Sequence, residues 1–150
     1  IEHRIGMPIR DYFAAHGEAA FRDVEADVIE QLASEPGIVL ATGGGAVLRP
    51  SNRDALHSRM HVFYVRATPE DLNRRLRNDT HRPLLQVADP LRKLRELYHE
   101  RDPLYRSTAH FIVEAARPSV PALTGMVLMQ LELADMATRA PGSPATSPDV

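Results

Sequence analysis

Ile38-Val39-Leu40-Ala41-Thr42-Gly43-Gly44-Gly45 is the stretch on which the fold turns. Four apolar residues in a row, entered through Pro36-Gly37, read as a strand buried on both faces, the mark of a parallel sheet. Open parallel sheets bind ligands beyond the carboxyl ends of their strands, and here that end is a triple glycine. Glycine allows φ > 0 and carries no Cβ, so a ligand can touch the chain and several N–H groups can converge on its oxygens. A tight strand-to-helix turn uses the same residues, but three glycines in succession favour a ligand contact.

Upstream, Met7 to His16 is amphipathic, with Pro8 in a first helical turn and Gly17 placed to end it. From Glu18 to Ser34, apolar residues at Ala20, Phe21, Val24, Val28, Ile29 and Leu32 keep helical spacing, so two consecutive helices are predicted. Downstream, Arg49-Pro50-Ser51 reads as a loop and N-cap before a helix over 52–59, and His61 to Arg66 as a second strand. Thr68-Pro69-Glu70 starts a capped helix running to about Arg77. Residues 78–90, polar and proline-broken, predict a mobile surface segment. Asp89-Pro90 caps a helix over 91–101 that Pro103 should interrupt before one further turn, and His110 to Glu114 is a third strand. A helix over 118–135 carries Leu123, Val127, Leu128, Leu131 and Ala134. The proline- and serine-rich end predicts a disordered tail, giving one domain over 1–136 and a tail over 137–150. Strands alternating with helices mean an α/β fold, a parallel sheet with helices on both faces.

The composition fits this reading. The 150 residues are 43% hydrophobic and 25% charged, enough to bury a core. No apolar run approaches the roughly 18 residues that span a bilayer, and Glu2, Arg4, Arg10, Asp11 and Glu18 leave no room for a signal-peptide core. A net charge of −2 argues against a nucleic-acid or membrane-surface binder. The absence of cysteine excludes thiolate metal sites. Of the 18 basic residues only Lys93 is lysine. Most of the arginines read as background, yet arginine is the side chain suited to a bidentate grip on carboxylate or phosphate.

Three further places carry candidate chemistry. Arg22 and Glu25, three apart, share a helix face: either an ordinary surface ion pair, or an acid orienting a guanidinium whose free edge meets a substrate carboxylate. Arg82, in Arg82-Pro-Leu-Leu of the segment 78–90, could close on phosphoryl oxygens. Glu100-Arg101-Asp102-Pro103-Leu104-Tyr105 is the third. The seven histidines form no metal-ligand motif and receive no catalytic role.

Taken together, Gly17 to Arg22 with Glu25, Ile38 to Gly45, Leu48 to Arg53, Arg82 to Leu85 and Glu100 to Arg106 resemble shikimate kinases in order and spacing, from Ile1 to about Asp135. The resemblance implies a P-loop nucleoside-kinase-like fold. It implies phosphoryl transfer from ATP, with Mg2+, to the 3-hydroxyl of shikimate in the route to chorismate and aromatic amino acids, in a cytoplasmic monomer. By match to the family's motifs, Arg22, Gly43, Gly44, Gly45 and Arg101 would hold shikimate and Glu25 would orient Arg22. Arg82 would be the lid arginine reaching the ATP phosphates. Arg75 or Arg77 would flank the adenine, with Arg117 a looser match near it.

The family pattern also includes a strand, a GxxxxGK[ST] loop, a helix and a second strand ending in Asp-x-Asp. Lys93 lies in a predicted helix with no glycine near it, so the 150 residues contain no such loop. The chain, which begins at Ile1, therefore reads as a family member with its N-terminal βαβ unit missing and with no kinase activity by itself. The family's order puts its first strand between those corresponding to 38–41 and 61–66, so a gap in the sheet is expected. A non-catalytic shikimate-binding or regulatory paralogue is the alternative; a gluconate kinase-like enzyme fits Arg22, the glycines and Arg101 less well.

Overall fold

The structure, a computed structural model, describes residues 1–76, 87–115 and 119–139, the last three by backbone alone. A single turn of helix, α1 (Glu2–Ile5), ends at Gly6 with φ 70° and is followed by α2 (Ile9–Leu32). The two helices predicted around Gly17 are the two halves of α2, which kinks there as Gly17 takes φ 80° and ψ 173°. That region is essentially reserved for glycine, so the residue type dictates the bend. Beyond the kink, Phe21, Glu25 and Ile29, spaced by four, form the buried face. Ile29 meets Ala46 and Leu56 in the core, with Leu40, Met60 and Val62 packed around them.

The strand predicted over 38–41 does not form. Those residues are extended chain outside any sheet, with Leu40 turned to the core and Val39 fully exposed at 101%. A strand is held by hydrogen bonds to a neighbour, and the ladder among the described residues joins only β1 (Phe63–Arg66) to β2 (Phe111–Glu114). An unpaired run here is what the expected sheet order gives when no described residue occupies the place beside it. The β1–β2 pair is parallel, with Phe63 opposite Phe111 and Arg66 opposite Glu114. Parallel neighbours need a crossover, and α4 (Pro69–Leu76) and α5 (Pro90–Thr108) lie between them in sequence.

Local chemistry explains most helix boundaries. Thr68 Oγ1 accepts from the Asp71 N–H at 3.1 Å and donates to the Asp71 carboxylate at 2.9 Å, a reciprocal cap on α4. Asp89 accepts from the Arg92 N–H at 2.9 Å and caps α5. Ser51 is not the cap of α3 (Pro50–Arg59): the helix starts two residues before the predicted 52, on Pro50, which has no N–H to satisfy. Pro103 does not interrupt α5 either. Proline removes one helical hydrogen bond, but Tyr64 and Arg106 bond Asp102 at 3.0 and 2.7 Å, and Tyr105 bonds the Gly44 carbonyl at 2.6 Å. Anchors on both sides of the proline hold the helix through it.

The described residues fall into two units, the first, up to residue 115, containing α1 to α5 and both strands. The second contains α6 (Val120–Arg139), which starts after the predicted Pro118 and runs across the expected 136/137 boundary. The remainder of the expected tail, 140–150, lies outside the described residues, as does 77–86, most of the segment predicted to be mobile. No helix among the described residues is long and apolar enough to cross a membrane.

Candidate functional site

The triple glycine runs from the extended 38–41 segment into a 3-10 turn over Ala46–Leu48. Two bonds shape this corner: the Ala46 N–H donates to the Gly43 carbonyl at 3.0 Å, and the Leu48 N–H to that of Gly45 at 3.1 Å. Asn52, 2% exposed, donates from Nδ2 to the Ala46 carbonyl at 2.9 Å, and Arg53 caps the Val47 carbonyl at 2.7 Å. None of the three glycines takes a positive φ. What the loop uses is the missing Cβ.

Space beside each glycine is filled by a different candidate residue. A Cβ on Gly43 would lie 3.7 Å from a carboxylate oxygen of Glu25; one on Gly44 would lie 3.1 Å from the Tyr105 hydroxyl and 3.7 Å from Nη1 of Arg101. One on Gly45 would run into the Arg22 guanidinium. Arg22 and Glu25 on α2, the glycines, and Arg101 on α5 are therefore gathered at one place, although up to 79 positions separate them.

The Arg22–Glu25 pair is not an ordinary surface pair. Nη1 of Arg22 lies 2.5 Å from Glu25 Oε2, and the side chains are 14% and 5% exposed. Glu18 bonds Nη2 at 3.1 Å, and the guanidinium stands 5.2 Å from the Phe21 ring centre. Burial opposes the charge on Arg22, but Glu25 and Glu18 outweigh it and raise its pKa. Glu18 takes the Nε and Nη2 edge and Glu25 takes Nη1, so the two carboxylates fix the fork in a defined orientation.

Arg101 is the complementary case. Its side chain is 13% exposed, its nearest acid is Glu100 at 3.9 Å, and its Nε is buried with no hydrogen-bond partner. An unsatisfied buried donor is costly, and the same guanidinium reaches Gly44 through Nη1, a cation without a close acid that suits a carboxylate ligand. Below this residue, Asp102 accepts from Tyr64 at 3.0 Å and Arg106 at 2.7 Å, with Arg66 at 3.5 Å. Burial disfavours the Asp102 carboxylate, yet these donors hold its pKa below the usual value.

Of the nucleotide-side candidates, Arg75 donates to the Ala115 carbonyl at 2.5 Å, tying α4 to the end of β2. Arg77, Arg82 and Arg117 lie outside the described residues. Three participants stand inside motifs quoted from the sequence but received no role there: Glu18, Asn52 and Tyr105. Glu18 stands four residues before Arg22, a helical ion-pair spacing that could have been read; the other two act on backbone carbonyls, which sequence does not display.

A family model described as shikimate kinase matches residues 1–132. The chain is 55% identical over 139 residues to the shikimate kinase of Burkholderia pseudomallei strain 1710b, covering 93% of this chain and 76% of that protein. It is 49% identical over 147 residues to the one from Ralstonia nicotianae, covering 98% and 77%. Among solved structures, the shikimate kinase from Acinetobacter baumannii in complex with shikimate superposes with TM-score 0.81 at 37% identity, over 93% of this chain and 76% of that one.

Proposed function

The chain belongs to the shikimate kinase family, whose reaction is ATP-dependent phosphorylation of the shikimate 3-hydroxyl on the way to aromatic amino acids, and we propose that its glycine corner is the shikimate site. In this reading Arg22 and Arg101 grip the substrate carboxylate, Glu25 orients Arg22, and Gly43, Gly44 and Gly45 allow the ring's hydroxyl edge against the backbone. The observation that carries it is Arg101, whose buried Nε has no partner and whose Nη1 stands against Gly44, while the Arg22 guanidinium stands against Gly45. Two guanidinium groups on consecutive Cβ-free residues suit a small, carboxylated polyol better than a neutral sugar.

The family uses ATP and Mg2+. Arg82 as the lid arginine on the phosphates, and Arg75, Arg77 and Arg117 beside the adenine, complete the proposed assignments. The residues present do not by themselves build a magnesium site: among the described residues no group of three His, Asp or Glu is placed to hold a metal, and the 150 residues contain no GxxxxGK[ST] loop. What the described residues do is bind and orient the acceptor; the protein's place in the cytoplasm, and its action as a monomer, belong to the same proposal.

Calorimetric titration with shikimate, without nucleotide, tests the site. Binding in the micromolar to millimolar range is expected for the folded chain. Arg101→Leu should weaken it by at least about ten-fold, the loss of a charge-assisted bond, with the circular dichroism unchanged. Unaltered affinity in that variant would overturn the assignment.

A further inference from the structure

We infer that Tyr105 is a positioning residue: its hydroxyl holds the Gly44 carbonyl and so fixes the peptide that joins Gly44 to Gly45, presenting the Gly45 N–H to the bound ligand. The inference rests on the shikimate reading of the glycine corner.

The Tyr105 hydroxyl donates to the Gly44 carbonyl at 2.6 Å. That carbonyl and the Gly45 N–H belong to one planar trans peptide, so they point in opposite directions. Holding the oxygen toward α5 turns the N–H away from it. The N–H groups of Gly44 and Gly45 donate to no described residue, whereas Ala46 and Leu48, next in the chain, both do. A glycine peptide without an external hold rotates more freely than any other, so a loop chosen for close approach needs something to fix its plane.

Tyr105 is itself fixed. Its ring lies 4.9 Å from that of Tyr64, whose hydroxyl donates to Asp102 at 3.0 Å, and Arg106 donates to the same carboxylate at 2.7 Å. Arg101 and Tyr105, four apart, share a face of α5, so one helix face brings both a cation for the ligand and a bond to the loop that faces it. Burial raises the pKa of the Tyr105 hydroxyl, despite the opposing charge of Arg101, which keeps it a donor at neutral pH.

Tyr105→Phe keeps the ring and removes only the hydroxyl. Tyr98→Phe is the comparison: a phenol on the same helix that bonds Arg66 at 2.8 Å and does not touch the glycines. In the isotope-labelled full chain, the Gly44 carbonyl carbon and Gly45 amide resonances should shift, and the Gly45 amide should exchange faster, in Tyr105→Phe but not in Tyr98→Phe. Shikimate affinity by calorimetry should fall roughly three- to ten-fold in Tyr105→Phe alone, the range of one hydrogen bond. Gly45 resonances that stay in place, or that move equally in both variants, would overturn the inference, as would full shikimate affinity in Tyr105→Phe. If the unaltered chain binds no shikimate, the proposed function fails, while the Gly45 resonances still decide whether Tyr105 fixes the peptide.

Discussion

Gly45 has φ −87° and ψ −7°, a conformation open to any residue, yet no side chain fits there because Arg22 occupies the space. The requirement for glycine is one of close approach, not of backbone strain, and this separates the three glycines by experiment. Gly45→Ala should displace the Arg22 guanidinium, lower thermal stability by loosening its buried pair with Glu25, and weaken shikimate binding by about ten-fold or more, the scale of a charge-assisted bond. Gly43→Ala, whose methyl would meet Glu25 at an ordinary 3.7 Å, should lose far less. Parallel calorimetry on the two variants checks this, and equal losses would sink it. Arg22, Glu25, Gly43 to Gly45 and Arg101 were legible in the sequence as candidates, the glycines by their type and the charged residues by their resemblance to the family's motifs, and the structure brings them together. The part Tyr105 plays was not: its bond reaches 61 positions along the chain and depends on how α5 packs, which no local pattern records.

At the scale of elements, period and cap chemistry located the helices well, whereas two local rules were overruled. The apolar run 38–41 has the composition of a buried strand but no ladder partner among the described residues, and composition cannot supply one. Pro103 has the signature of a helix end, but bonds through Asp102 and Tyr105 outweigh it. The starts of β1 and β2 meet α3 through histidines that the sequence showed only as scattered. His110 stacks on His57 at 4.3 Å, lies 6.2 Å from His61, and accepts from the Val62 N–H at 3.1 Å. Partial burial, with His57 and His61 close by, lowers its pKa. The folded chain thus resists protonation that the unfolded chain accepts near the ordinary value of about 6.5. The contribution is complete above that pH and is lost as pH falls through the lowered pKa of His110. Urea midpoints measured from about pH 8 to 5 should decline with acid, and His110→Gln should flatten the decline; identical slopes would exclude His110 as its source.

At the scale of the whole molecule, the acceptor side and the donor side of the reaction are unequally represented. The glycine corner gathers Arg22, Arg101, Glu18, Glu25 and the bonded turn, all within residues 18–105, which are the parts the proposed shikimate site requires. On the phosphate side, these 150 residues hold no counterpart of the family's loop lysine: Lys93 lies within α5, 3.7 Å from Glu96, with no glycine beside it. Phosphoryl transfer depends on a cradle of N–H groups, a lysine and a metal to position and neutralise the γ-phosphate, whereas the proposed carboxylate grip draws only on Arg22 and Arg101. The two functions should therefore separate in a polypeptide of these 150 residues. Shikimate should produce a saturable heat of binding, and ATP added with it should yield no shikimate 3-phosphate above the uncatalysed background by phosphorus NMR. Turnover that is lost in Arg101→Leu would show that phosphate can be positioned without a glycine-rich lysine loop, and would refute the separation.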